Sequence, residues 1–512
     1  MPRRTSTAKS AFDFDCRSAG VLLHVTSLPG PYGSGELSRE AFRFVDRLAD
    51  AGQRWWQMLP VGPPSMPPGN SPYSSPSTFA GSPFLISIDL LLRDGLLNRA
   101  DLRGAPRFAP GPIDFPRVRS FRWAMLRRAW ERFAAAPGTQ RQAFDRFCRA
   151  EAGWLDDDAL FGALKGRYDE APWFEWPRPL RDREPGAITE AREELTDDIR
   201  FHQFLQWLFD RQWAELRAYA AGRGIGLIGD LPIFVDHDSV AVWCRPDLWL
   251  LGRDRMPRRV SGAPPDVFSD KGQHWGHPIY DWAAHEREGF AWWVDRLAGI
   301  FRRFDALRID HFLGMRRMWA IPAGTHDATK GKWVHTPGDE LLTALNDALG
   351  RRPIIAEDLG DLTPQAIALR DRFGLPGMRV GEFAFMTDTP NVYHSLHAFP
   401  VNSAAYTGTH DNDTVVGLLD SLSPALRKRA LAYLAAGDRE PNWAMVRAVL
   451  ASCSNTAIIP MQDLLGLGGE ARMNTPGTAK NNWRWRMVDR DFSNAIVKRL
   501  REMTHLYGRR GS

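Results

Sequence analysis

Cysteine is scarce in this chain, with four in 512 residues, at positions 16, 148, 244 and 453. They are far apart and form no Cys-x-x-Cys pair, which excludes a disulfide framework and a thiolate zinc site. Cys148 and Cys244 follow Phe147 and Trp243, the setting of buried, reduced, inert thiols. The chain also lacks any run of roughly 20 apolar residues, so no membrane-spanning helix is expected. The N-terminus, Met-Pro-Arg-Arg-Thr-Ser, is basic but has no apolar stretch of the kind a secretory signal needs. Asp13 and Asp15 spoil the acid-poor pattern of an organellar address. A cytoplasmic protein without membrane partners is the expectation. The net charge of +5 is spread along the chain rather than gathered into a basic block, so nucleic acid is not an expected partner. Internal repeats and low-complexity runs are missing too.

What remains is ordinary globular composition, 44% hydrophobic and 25% charged, in a chain long enough for one large barrel or several smaller domains. Eight short apolar runs read as buried parallel strands: 20–24, 55–60, 226–230, 306–310, 353–357, 377–380, 405–408 and 456–460. Helical stretches lie between most of them, as at 38–51, 341–349 and 364–373, and this alternation points to βα units. The expected fold is α/β, a (β/α)8 barrel with inserted, mainly helical subdomains and loops at its C-terminal face. Residues 1–18 are expected to form a loose polar segment, followed by the barrel over 19–512.

The spacing between runs is uneven. A barrel unit needs about 30 residues, so the second and third strands must be separated by an insertion, placed at about 62–220. Its start, 62–84, is rich in Pro, Gly and Ser and reads as a loop over the barrel mouth. Its end is helical, over 198–222, with Phe201, Phe204, Leu205, Leu208, Leu216 and Tyr219 forming an apolar core stripe. A second long connection, 233–293, carries Trp, Pro and Gly with little periodicity and reads as functional loop.

Three acidic residues fall where apolar runs end: Asp310 in Ala-Leu-Arg-Ile-Asp-His-Phe, Glu357 in Pro-Ile-Ile-Ala-Glu-Asp-Leu-Gly, and Asp411 in Tyr-Thr-Gly-Thr-His-Asp-Asn-Asp. In a parallel barrel all strands open their carboxyl ends onto one face. Cleavage of a glycosidic bond with retention needs one carboxylate to attack and one carboxylic acid to protonate the leaving oxygen. Arg308 precedes Asp310 by two residues, so the two share a strand face and the guanidinium can keep the nucleophile ionised. Glu357 follows Ile354, Ile355 and Ala356, apolar surroundings that raise a carboxyl pKa toward the operating range. Any one of these acids alone is more simply a helix cap or an Asx turn. Three after three separate strands, one of them paired with arginine, favour chemistry. The 20 tryptophans do not by themselves identify a sugar enzyme; most, such as Trp207, read as packing.

Beyond the acids, the chain resembles the amylomaltases, 4-α-glucanotransferases of the α-amylase superfamily (glycoside hydrolase family 77). The resemblance runs from about 17 to 490 through Gly-Val-Leu-Leu-His-Val-Thr-Ser-Leu at 20–28, Ser71-Pro-Tyr73 and Phe79-Ala-Gly81. It continues through Gly-Asp-Leu-Pro-Ile-Phe-Val at 229–235, Pro264-Pro-Asp266, Trp275-Gly276, the three acidic segments, and Arg-Met-Asn-Thr-Pro-Gly at 472–477. It implies Asp310 as nucleophile, Glu357 as general acid and base, and Asp411 as transition-state stabiliser. It implies Arg308 and His410 around the glucose, Tyr73 stacked at the cleaved bond, and Asp230, His311, Trp275 and Asn474 as further sugar contacts. Asp266 and Phe268 would belong to a loop over the acceptor, with Phe268 as an aromatic wedge. The implied substrates are maltooligosaccharides, amylose or glycogen-derived glucans, and the implied chemistry needs no metal or organic cofactor. Some positions depart from the commoner pattern: Leu313 where many members have arginine, Val267 for tyrosine, His277 for asparagine, and 67–70 without the tyrosine of a secondary groove. They bear on chain-length preference, not on the acids. The rival readings are an α-glucan hydrolase of the same superfamily and a non-catalytic glucan-binding barrel.

Overall fold

The computed structural model describes residues 12–65, 70–135, 138–265, 270–325, 327–360, 362–387, 389, 391–437, 439–478 and 480–510. Among these described residues twelve strands form in chain order: β1 Ser18–Leu22, β2 Trp55–Gln57, β3 Gly226–Leu231, β4 Arg259–Ala263, β5 Gln273–Pro278, β6 Ala306–Ile309, β7 Arg317–Pro322, β8 Lys332–His335, β9 Ile354–Ala356, β10 Gly377–Val380, β11 Ser403–Tyr406 and β12 Thr456–Pro460. Eight of them close into an all-parallel barrel in the order β1-β12-β11-β10-β9-β6-β3-β2. These eight are the expected runs, with bounds that coincide or differ by up to three residues. Each is buried on both faces, which is why it reads as a nearly continuous apolar run.

The barrel interior is filled by alternate residues from successive strands, among them Trp55, Ile228, Ala306, Ile355, Met378, Ala404, Tyr406 and Ile458. Gly20 is required there, since a Cβ at this position would lie 2.5 Å from that of Trp55. The residue ladder also carries polar groups to one end. Asp230 pairs with Arg308 across β3 and β6, and Ile309 pairs with Ala356 across β6 and β9. Asp310 and Glu357 therefore follow matched positions on adjacent strands. At the opposite end, Phe12 and Phe14 are buried, with ring centroids 5.6 and 5.0 Å from that of Trp55. In the described part of the N-terminal segment, 12–18, the chain thus plugs the barrel and enters β1 rather than lying loose.

The insertion after β2 is helical as expected, with Phe115–Ala135 and Thr139–Arg167 packed on Thr196–Gly222 through Trp130, Phe133, Phe144, Phe204 and Trp207. The last of these helices also serves the barrel itself. Trp213 meets Phe304 edge-on and donates to the Arg303 carbonyl, while Tyr219 packs on Phe42 and bonds Asp46.

The connection over 233–293 is not the structureless loop its composition suggested. It contributes β4 and β5, which join β7 and β8 in an antiparallel sheet of order β5-β4-β7-β8. Two long connections, after β3 and after β6, are thus woven into one platform beside the cleft. Its strands hide in the sequence because they carry Gly, His, Trp and Pro and pair across long separations. Among the described residues, no helix is long and apolar enough to cross a membrane.

Candidate active site

Arg308 organises the cleft floor. It is 3% exposed; its Nη1 donates to both oxygens of Asp230 at 2.8 Å, and its Nη2 lies 2.9 Å from Asp310 Oδ1. Its Nε donates to the Met378 sulfur at 3.4 Å, so every face of the guanidinium is engaged. The Tyr73 hydroxyl donates to Asp230 Oδ2 at 2.7 Å. Breaking a buried pair of this kind leaves an uncompensated charge, at about 3–5 kcal/mol. The network therefore fixes Arg308, and through it Asp310, whose side chain keeps 28% exposure to the cleft.

Glu357 occupies the equivalent place on the next strand. The backbone amides of His311 and Leu359 donate to its two oxygens at 2.6 and 2.9 Å. The His311 amide is presented by a left-handed backbone turn, φ 50°, immediately after Asp310. Burial pushes the Glu357 pKa up to about 8, against Arg308 and with help from the Asp310 charge. Burial of this kind lets a carboxyl keep its proton near neutral pH.

Asp411 stands across the cleft on the loop after β11. Asn474 Nδ2 donates to its Oδ1 at 2.6 Å, His410 Nε2 lies 3.3 Å from its Oδ2, and Arg472 holds its backbone carbonyl at 2.6 Å. Crowding by the cleft walls raises its pKa, but His410, Asn474 and Arg308 outweigh this and hold it well below the ordinary carboxylate range. The His410 ring stacks on Tyr73, with centroids 5.1 Å apart and planes at 16°. On the platform side, Trp275 meets His311 edge-on at 4.9 Å. Burial lowers the His311 pKa to about 4, which keeps that imidazole neutral.

With these features in place, comparison with known proteins is decisive. The family profile for 4-alpha-glucanotransferases, glycoside hydrolase family 77, matches residues 23–491. The chain belongs to this family. It is 44% identical to the 4-alpha-glucanotransferase of Thermus thermophilus, over 95% of this chain and 98% of that one. It is 40% identical to the chloroplastic/amyloplastic 4-alpha-glucanotransferase of Arabidopsis thaliana, over 96% of this chain and 86% of that one. In three dimensions it resembles the Streptococcus agalactiae amylomaltase in complex with acarbose, with a TM-score of 0.93 and 38% identity, covering 97% of this chain and all of that one.

Within this family member, the structure draws Tyr73, Asp230, Arg308, Asp310, His311, Glu357, His410, Asp411 and Asn474 into one connected network, with Trp275 on its rim. Asp266 and Phe268 lie outside the described residues, as do Val267 and residues 67–69. Two residues implied as sugar contacts have protein partners here. The Asp230 side chain is fully covered and taken up by Arg308 and Tyr73, and Asn474 is turned onto Asp411. Met378 escaped sequence reasoning, because a methionine in an apolar run signals only packing. Asp236 escaped it as well. Its carboxylate gathers Ser65, Ser74 and His277, at 2.7, 2.5 and 3.0 Å, and so ties the loop carrying Tyr73 to β5.

Proposed function

We propose that the chain transfers α-1,4-glucan segments between maltooligosaccharides, or to glucose, by double displacement with retention. Asp310 is the nucleophile, Glu357 the acid and base, and Asp411 the stabiliser of positive charge at the anomeric carbon. The observation that carries this reading is the contrast between two neighbouring carboxyls. Asp310 is paired with Arg308, whereas Glu357 is buried and holds its proton to about pH 8.

In the first step an Asp310 oxygen bonds the anomeric carbon, the glycosidic bond breaks, and the Glu357 proton goes to the leaving 4-oxygen. The resulting ester consumes the Asp310 charge, one of the influences that raise the Glu357 pKa. Glu357 can then remain a carboxylate and take the proton of an incoming 4-hydroxyl while that oxygen displaces Asp310. Asp230 keeps Arg308 in place, Asn474 and His410 orient Asp411, and Tyr73 and His410 wall the glucose site. Trp275 and His311 add further sugar contacts. Asp266 and Phe268 belong to the acceptor loop, where an aromatic ring favours sugar over water. The free state of all four cysteines fits a cytoplasmic setting.

The roles are tested by Asp310→Asn and Glu357→Gln, each of which should lower kcat at least a thousandfold with an unchanged circular dichroism spectrum. Retained turnover in either variant removes that residue from its role. Phe268→Ala should raise the share of hydrolysis; an unchanged ratio of transfer to hydrolysis would end the proposal for the wedge.

A further inference from the structure

We propose that Asp463 is a positioning residue for the reaction, closing the loop that carries His410 and Asp411; this rests on the proposed role of Asp411. That loop, 407–414, joins β11 to the helix Val415–Ser421. Its two ends meet on one side chain. Thr407 Oγ1, at the exit of β11, donates to Asp463 Oδ2. The Val415 amide, at the entry to the helix, donates to Asp463 Oδ1 at 2.8 Å. Asp463 follows β12 and is 1% exposed, and Asn442 Nδ2 holds its backbone carbonyl at 2.8 Å. The segment after Asp463 then meets the loop again at its tip. There Arg472 Nη2 donates to the Asp411 carbonyl and the Asn474 amide to the His410 carbonyl, at 2.6 and 3.0 Å. Asp463 secures the stem as these two secure the tip.

The chemistry of the stem calls for a carboxylate. Two donors converge on Asp463, and only the ionised acid offers each its own acceptor oxygen, through charge-assisted bonds stronger than neutral ones. Burial, with help from the Asp413 charge, pushes the Asp463 pKa up to about 6, against the bonds from Thr407 and Val415. The other titratable or charged groups around it are Glu382, and His24, His410 and Arg472, which line a cavity with Asp463 and Asp413. Glu382 is 1% exposed, and its amide donates to the Thr407 carbonyl at 3.1 Å. Its side chain lies against the loop so closely that a Cβ at Gly408 would be 2.7 Å from its Oε1. Burial, then the Asp463 and Asp413 charges, raise its pKa well above the carboxylate range, with Arg472 opposing. Glu382 therefore takes the proton and leaves Asp463 the ionised member of the pair. When Asp463 is itself protonated, one of its oxygens becomes a donor and one end of the loop loses its acceptor.

The test is kcat and KM on maltotriose from pH 5 to 9, with Tm, for the full-length wild type, Asp463→Asn, Thr407→Val, Thr407→Ser and Asp411→Asn. Asp411 is proposed to act on the transition state, so its displacement lowers kcat and spares KM. Asp463→Asn and Thr407→Val should each lower kcat at least tenfold at pH 7.5, with KM within about twofold. Thr407→Ser, which restores the hydroxyl, should recover at least about a third of wild-type kcat. Wild-type kcat should fall as pH drops through about 6, and Asp463→Asn should lose that fall. The assignment is overturned by wild-type kcat in Asp463→Asn or Thr407→Val, by a loss that appears in KM instead, or by Thr407→Ser as poor as Thr407→Val. An acid limb kept near pH 6 in Asp463→Asn overturns it too. Should Asp463→Asn fail to fold, the two Thr407 variants decide. Asp411→Asn separates the two readings: wild-type turnover there ends the role of Asp411 and this proposal with it. Lost turnover there beside an unaffected Thr407→Val ends the stem clamp alone.

Discussion

Glu357 receives two backbone amides, which favour its charged form, yet burial and then the Asp310 charge prevail and its pKa rises to about 8. In the proposed reaction the acid form of Glu357 takes the first step, so kcat/KM should fall as pH rises through about 8. A pH–rate profile on maltotriose checks this, and Glu357 would lose its role if the fall centred near 5. Stability carries the opposite demand. The folded chain keeps this proton to about pH 8, while the unfolded chain releases it near the ordinary 4.5, so burial of Glu357 costs stability progressively between those values. Glu357→Gln should therefore be more stable than wild type at pH 9, with the gain vanishing near pH 4, as measured by urea unfolding at both. Met378 offers a different kind of test. Met378→Leu preserves volume but strips the acceptor from Arg308 Nε, leaving a buried donor unsatisfied at about 1–3 kcal/mol. We expect kcat to drop about tenfold with KM nearly unchanged; a variant with wild-type kcat would reduce the contact to packing. The Met378 contact was not legible in the residue type, whereas the apolar setting of Glu357 and the Arg308-Ile-Asp310 spacing were, the latter because period-two geometry puts both side chains on one face.

The barrel strands were readable because each is buried on both sides and therefore uniformly apolar, as in Thr456-Ala-Ile-Ile-Pro460. The side sheet was not, since Gln273-His-Trp-Gly-His-Pro278 is half-exposed, interrupted by Gly276 at φ 84° and stabilised by partners far off in sequence. The N-terminal plug was hidden for another reason: Phe12 and Phe14 are set among aspartates, and only the hollow under Trp55 gives them a destination. That plug is a stability element distant from the chemistry. Phe12→Ala should lower unfolding free energy by about 3 kcal/mol and leave kcat unchanged, as read by denaturant unfolding beside the maltotriose assay. A loss of kcat without loss of stability would mean the plug reaches the cleft.

For the molecule as a whole, a closed parallel barrel delivers acids from three strand ends to one mouth, and two long connections after β3 and β6 build the wall beside it. In the proposed reaction the carboxylates open and remake the glycosidic bond. Refusal of water must come from the wall, and it distinguishes a transferase from a hydrolase with the same three acids. The direct measurement is incubation with maltotriose, with oligosaccharides separated by length and glucose quantified in the same samples. The account predicts free glucose together with a ladder of α-linked oligomers longer than maltotriose, the ladder disappearing in Asp310→Asn. Only maltose and glucose, with no longer product at any time, would contradict it.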